Sequence, residues 1–288
     1  MAWPRPLPLV LIGLGLFGLL RAPSRVAAQP TAAPRGCPPD MVRVRGFCID
    51  RYEMSTLDDR SGYPLSPYYP PEPKQIAQIR RNWEIERQSI GDVNAREFPL
   101  PALPEIQRTR TDYRPRAVSR AAVIPQGYLS YYTAKRACEA AQKRLCTETE
   151  WLTACAGQQG RKFPYGDSFE AGRCNVYRLS HPAAALHAAT WYGHRDPRLN
   201  LVDEPNEGPL LRRTGATTGC GSDWRDDKVF DLVGNLDEWV DTETDSDIGL
   251  FVGGFYARST REGCNARVSN HSKSYYDYST GARCCKAP

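Results

Sequence analysis

Ten cysteines lie between Cys37 and Cys285 of a 288-residue chain, and no two of them are spaced as C-x-x-C. A zinc site needs paired short spacings, so a metal framework is disfavoured. In an exported chain an even number of cysteines reads instead as a disulfide framework. The amino terminus indicates export. Residues 9 to 20, LVLIGLGLFGLL, form an uncharged apolar run behind Arg5. A membrane-spanning helix needs about 20 apolar residues, so the run is short for an anchor. It has the proportions of a signal peptide core. Cleavage is expected after Ala28, with Val26 as the other small residue and Ala22 marking an alternative site. An uncleaved anchor is the competing reading. No cysteine follows the run where a lipid-anchored end would need one, and no second apolar run has spanning length. The expectation is a signal over residues 1–28 and a polar linker over 29–36. The mature chain is then secreted or periplasmic, with no membrane partner after cleavage.

Charge narrows the partners. The chain has 38 Lys+Arg against 33 Asp+Glu, a formal +5. Arg5, Arg21 and Arg25 lie in the first 28 residues, so the remainder carries 35 against 33, or +2. That is too little basic excess for a broad nucleic-acid-binding face.

Along the chain, CPPDMVRVRGFCID predicts a short hairpin turning near Arg45-Gly46, and Cys37 and Cys48 are close enough to clip it. From Gly62 to Pro125 the texture changes, with ten of the 24 prolines. Within it PLSPYYPPEP and FPLPALPEI are read as neither helix nor central strand. KQIAQIRRNWEIERQS between them is expected to form an amphipathic turn or two. Residues of about 60–125 are read as an insertion over the domain surface, with a disordered linker as the alternative. In SYYTAKRACEAAQKRL, Ala134, Ala137, Cys138 and Ala141 recur at helical spacing. Thr147 and Glu150 form a capping box for a second helix with Trp151, Leu152 and Cys155 on its buried face. The adjacent Cys284 and Cys285 are poor metal geometry and read as two separate disulfides.

The segments RLCTETEWLTAC, FPYGD, CNVY, FDLVGNLDEW, VGGFYARS and GARCC occur in this order. In that order they resemble the formylglycine-generating, or sulfatase-modifying factor, family. The resemblance covers residues 120–288 and, less densely, 37–55. It implies a single α+β domain over 37–288, a variant of the C-type lectin-like fold that is disulfide-rich and low in regular secondary structure. Members oxidise a sulfatase cysteine with O2 and copper held by two reactive cysteines. Others are iron-dependent sulfoxide synthases, and many are exported proteins of unknown activity.

The oxidase chemistry does not carry over. Phe255 stands where the family has a serine, Tyr256 to Gly263 holds no cysteine, and Cys264 matches a structural cysteine. Asp237 replaces the first tryptophan of the family's W-E-W, leaving Asp237-Glu238-Trp239. Copper(I) needs soft thiolate ligands, so no copper is expected. The resemblance further implies that Cys138 pairs with Cys284 and Cys155 with Cys264. The other six are assigned as Cys37 with Cys48, Cys174 with Cys220 and Cys146 with Cys285, a connectivity the sequence leaves open. It also implies structural calcium, one ion at Asp231, Gly234, Leu236 and Glu238 and a second at Asn175 and Val176. Six or more oxygen ligands are needed for each.

His181, His187, His194 and His271 are read as solvated loop residues, with a three-histidine iron site as the alternative. Tyr68, Tyr69, Tyr275, Tyr276 and Tyr278 either line a groove or cover an irregular core. The functional expectation is a non-catalytic binding or structural scaffold, a pseudoenzyme. Its bound surface would combine the Pro/Tyr-rich insertion with the Arg258 to Gly263 loop, and its partner would be a protein, peptide or glycan. The alternative is an O2-dependent metallo-oxidoreductase acting on protein or small-molecule thiols. A glycan-binding lectin is a third reading, by fold analogy alone.

Overall fold

The computed structural model describes residues 36–86, 93–191, 193–258 and 260–288. The expected signal and most of the linker lie outside the described residues. The first hairpin pairs Met41–Val44 (β1) with Phe47–Asp50 (β2) and turns at Arg45-Gly46, where Arg45 takes φ 49°. Met54–Asp58 (β3) follows. Then come Pro73–Glu86 (α1), Val93–Glu97 (α2), Glu105–Thr109 (α3) and Pro115–Ser119 (β4). β4 pairs antiparallel with β3. The stretch read as a surface insertion therefore ends in a strand.

Both proline-rich segments run into helices, against the expectation for them. α1 begins on Pro73 and α3 directly after Pro104, because proline in a first helical turn forfeits no intrahelical hydrogen bond. α1 is also longer than a turn or two, at 14 residues. Ile76 and Ile79 hold it down by packing with Leu65, Tyr69, Ile106 and Tyr113 in a small core of their own.

Ser130 caps Tyr131–Ala140 (α4), its hydroxyl accepting from the Thr133 N–H. After Arg144–Leu145 (β5), Thr147 and Glu150 form a reciprocal capping box on Glu148–Ala156 (α5). Trp151, Ala154 and Cys155 of α5 are buried, whereas Leu152 is only partly covered. The chain continues through Pro182–His187 (α6), then Asp203–Glu204 (β6) and Gly208–Pro209 (β7), which pair with each other. Gly221–Trp224 (β8) and Asp227–Phe230 (β9) form another pair. The last strands are Asp237–Val240 (β10), Leu250–Val252 (β11), Arg267–Val268 (β12), Thr280–Ala282 (β13) and Cys284–Lys286 (β14).

The C-terminal strands stitch the domain together. β14 lies inside a four-stranded sheet ordered β1-β2-β14-β5, while β13 runs parallel to β10 at the edge of a second sheet ordered β12-β11-β10-β13. Arg283 is the single residue between β13 and β14.

Five disulfides join Cys37–Cys48, Cys138–Cys284, Cys146–Cys285, Cys155–Cys264 and Cys174–Cys220. Successive residues of a strand point to opposite faces. Cys284 and Cys285 in β14 accordingly reach different partners, one in α4 and one just after β5. No helix among the described residues is long and apolar enough to cross a membrane.

Asp50 at the end of β2 is fully buried. Burial pushes its carboxyl up to about 6, against the pull of Lys143 2.6 Å away. A carboxyl whose folded pKa is raised favours folding most below its unfolded value, and loses that advantage as pH rises through the folded value. Asp50 therefore works against stability above about pH 6. Asp50→Asn should flatten the pH dependence of Tm between pH 4 and 7, as read by thermal unfolding at half-unit steps. An unchanged slope would show that Asp50 stays ionised across the range.

Candidate functional site

The loop where the resemblance places reactive cysteines is closed by other chemistry. Gly253 and Gly254 both take positive φ (90° and 78°) at the end of β11. A Cβ on Gly254 would lie 2.3 Å from the Thr260 hydroxyl, so the loop folds tightly back on this glycine. Phe255 packs edge-on against Tyr278 and His181, with ring centroids 5.6 and 6.4 Å apart. Arg258 donates to Asp237 at 2.8 Å. The aspartate in the family's tryptophan position thus anchors the loop through an ion pair. Burial pushes the Asp237 carboxyl up to about 7, with Arg258 opposing.

The residues expected to hold calcium are placed close together, but around guanidinium groups. Glu238 on β10 takes both Nε and an NH2 nitrogen of Arg283, at 2.6–3.0 Å, and also accepts from the Trp151 indole at 2.8 Å. Arg283 and Glu238 are 0% and 1% exposed. Asp231 accepts from the Gly215 N–H at 2.6 Å, and burial pushes its carboxyl up to about 6. Gly234 (φ 83°) presses against the Asn175 carbonyl, 2.3 Å from where a Cβ would stand. The Leu236 N–H is spent on Glu53.

Glu53, which the sequence reading overlooked, is a third buried carboxylate of this cluster. Burial and its neighbours Asp231 and Glu238 push it well above the usual range. Its only sequence signal was an acid inside the hairpin-proximal CIDRYE. In the second set, the Asn175 amide donates to the Leu210 carbonyl and to Asn235. Its oxygen faces Arg178 at 3.5 Å, and Arg178 is paired with Glu204. As arranged, these residues do not fit a calcium ion. Both Glu238 oxygens already accept hydrogen bonds, and a guanidinium stands beside each set where calcium would need oxygen ligands. Among the described residues no group of three His, Cys, Asp or Glu side chains is placed to hold a metal ion.

A cavity of about 450 Å³ lies elsewhere. α1 supplies one wall through Gln78, Ile79, Asn82 and Trp83. The segment from His187 to Arg198 supplies the floor, and Tyr275 and Tyr276 close the other side. Gly193 (φ 73°) lets this segment fold onto the His187 ring, only 2.4 Å from its would-be Cβ. Asp196 is the anchor. It accepts from His187 Nε2 at 2.9 Å and from Arg198 through Nε and NH2 at 2.6–3.1 Å. Burial raises the Asp196 pKa, yet these hydrogen bonds hold it below the usual carboxylate value. Arg198 in turn donates to the Ala95 and Phe98 carbonyls and lies 4.1 Å from the Trp83 ring.

The four histidines are half-buried, not fully solvated. The His187 side chain is 5% exposed, and the Tyr278 hydroxyl pairs with His181 Nε2 at 3.1 Å. Burial, then the nearby His194, lowers the His181 pKa. His271 stacks on Tyr275, 4.0 Å between centroids. Of the five tyrosines singled out, Tyr275 and Tyr276 line the cavity, Tyr278 is buried beneath, and Tyr69 is buried under α1. Arg258 faces Asp237 and does not line the cavity. Trp83, Trp191, Arg195, Asp196 and Arg198 were missed in the sequence. The signal for the last four was the aromatic and charged density of TWYGHRDPR.

A family model described as the sulfatase-modifying factor enzyme 1-like domain matches residues 9–288. A Bos taurus protein named inactive C-alpha-formylglycine-generating enzyme 2 is 25% identical over 149 residues, a match taking in 50% of this chain and 42% of the relative. The chain thus spans less than half the length of that curated relative. Among solved structures, CarF is similar at 13% identity and a TM-score of 0.39, covering 84% of this chain and 86% of that one. PvdO from Pseudomonas aeruginosa is similar at 15% and 0.38, covering 84% and 80%. Both superpositions are loose.

Proposed function

The chain belongs to the sulfatase-modifying factor family, and from that premise we infer that it is a non-catalytic binding scaffold acting in an oxidising compartment, secreted or periplasmic. The observation that carries this reading is the state of the cysteines: all ten are in disulfides, and none is free. A thiol oxidase of this family needs a thiolate to hold copper(I) and to exchange with the substrate thiol. Here the corresponding loop offers Phe255, Arg258 and Thr260, tied down by ring contacts and the Asp237 ion pair. The inactive designation carried by the bovine relative supports the same reading. The surface left for function is the groove between α1 and the 187–198 segment. Its tryptophans, tyrosines and arginines are the residue types that dominate binding energy at protein interfaces.

Two measurements test this together. Denaturing alkylation without reductant, followed by intact mass, should modify no cysteine. The native protein supplied with copper and a cysteine-containing sulfatase peptide should consume no O2. Two or more alkylated cysteines accompanied by O2 uptake would establish the metallo-oxidoreductase reading instead.

A further inference from the structure

We propose that the groove binds an aromatic carboxylate of about single-residue to dipeptide size, held by Arg195 between the Trp191 and Tyr276 rings. The proposal rests on the reading of this groove as the binding site. Four observations carry it.

The first is charge. The groove is lined by two arginines, Arg195 and Arg198, and one acid, Asp196. Arg198 and His187 already occupy both oxygens of that acid. Arg195 has no carboxylate partner among the described residues, so the groove is left with an uncompensated positive charge.

The second is the posture of Arg195. Its guanidinium lies over the Tyr276 ring, 4.5 Å from the centroid. Stacking on a ring uses the face of a guanidinium and leaves the N–H groups at its edge, the geometry that takes a carboxylate in two parallel hydrogen bonds.

The third is the balance of donors and acceptors. On the α1 wall, the Gln78 carbonyl oxygen accepts from Arg81, and the Asn82 oxygen accepts from Gln78. With Asp196 also engaged, the groove offers donors and few free acceptors. That suits an acceptor-rich anion better than a sugar, whose hydroxyls also need acceptors.

The fourth is the apolar rim. Trp191 is 82% exposed, beside Trp83, Ile79 and Leu100 in the same cavity. An exposed indole at the mouth of an aromatic cavity offers a flat apolar face, and about 450 Å³ is within the usual range for a ligand pocket.

The test uses the full mature protein and four probes of similar size: phenylacetate, N-acetylphenylalanine, benzylamine and 2-phenylethanol. Binding is read by calorimetric titration and by the indole N–H signals of Trp83 and Trp191 in NMR spectra. Both carboxylates should bind and shift those signals, whereas the amine and the alcohol should not. Arg195→Gln should weaken the carboxylates by about tenfold or more, the size expected for a lost charged hydrogen-bonding partner. Arg43→Gln, an exposed arginine on β1, should leave affinity unchanged. Tighter binding of N-acetylphenylalanine assigns the natural ligand to a peptide end, and tighter binding of phenylacetate to a free aromatic acid. If the amine or the alcohol binds at the indoles as well as the acids do, the carboxylate assignment is overturned while the groove stands as a binding site. If no probe shifts either indole, both readings fall.

Discussion

Replacing Arg283 by methionine should destabilise the protein by about 3–5 kcal/mol, the loss expected when one partner of a buried ion pair is removed. Arg283, between strands of the two main sheets, ties them to the carboxylate cluster. Besides Glu238, its guanidinium reaches the Phe230 carbonyl at 2.9 Å and the Asp50 carbonyl at 3.3 Å. Without it, Glu238 keeps only the Trp151 indole, and Glu53 and Asp231 lose the cation that offsets them. Methionine fills much of the volume, so the loss would report charge and hydrogen bonding more than a cavity. The second substitution Glu238→Gln should restore most of the loss, because an amide still accepts from Trp151 and no longer carries charge. Urea midpoints by circular dichroism read both variants. A loss below about 1 kcal/mol would show that the ion pair contributes no more than an ordinary surface pair. In the parent protein the midpoint should be the same in EDTA and in millimolar calcium. A calcium-dependent rise would mean that the cation displaces the arginine and that the calcium expectation holds.

Reduction should be more damaging still. A chain reduced in urea, alkylated and returned to buffer should not regain the near-ultraviolet dichroism of its packed aromatic core, in which Trp239 and Phe251 meet edge-on. Each disulfide is worth about 2–4 kcal/mol, the more so for long loops, so five together are as large as the about 5–15 kcal/mol total of a typical domain. Three of them span 146, 139 and 109 residues. The Cys37–Cys48 bridge spans only 11 and closes a hairpin that already has its strand pairing. The double variant Cys37→Ser/Cys48→Ser should therefore still fold. The variant Cys138→Ser/Cys284→Ser should lose about twice as much stability, since its loop is far longer and it frees β14 from α4. A native spectrum from the fully reduced chain would show that the core holds without its bridges.

The sequence determined what depends on near neighbours. The Arg45-Gly46 turn, the Thr147 cap and the Ala134/Ala137/Cys138 face were legible because each signal lies within about four residues of its partner. The ordered motifs from Arg144 to Cys285 placed the chain in its family and led to the pairing of Cys138 with Cys284 and of Cys155 with Cys264. The covered side chain of His187 was illegible for the opposite reason. His187 is buried because Asp196 fixes it, and Asp196 is fixed by Arg198, which reaches carbonyls about 100 residues earlier in the chain.

Only the tertiary structure decided the site. Its walls come from residues near 80, 190 and 275, and no local periodicity records which distant segments will meet. It also decided what stands at the expected calcium positions. Hydropathy and spacing mark a glutamate as a ligand or a surface charge with equal ease. Which of these Glu238 becomes depends on the guanidinium of Arg283, 45 residues away, entering the same dry space. Burial converts that proximity into a commitment, because a charge removed from water must be matched by whatever lies within hydrogen-bonding reach.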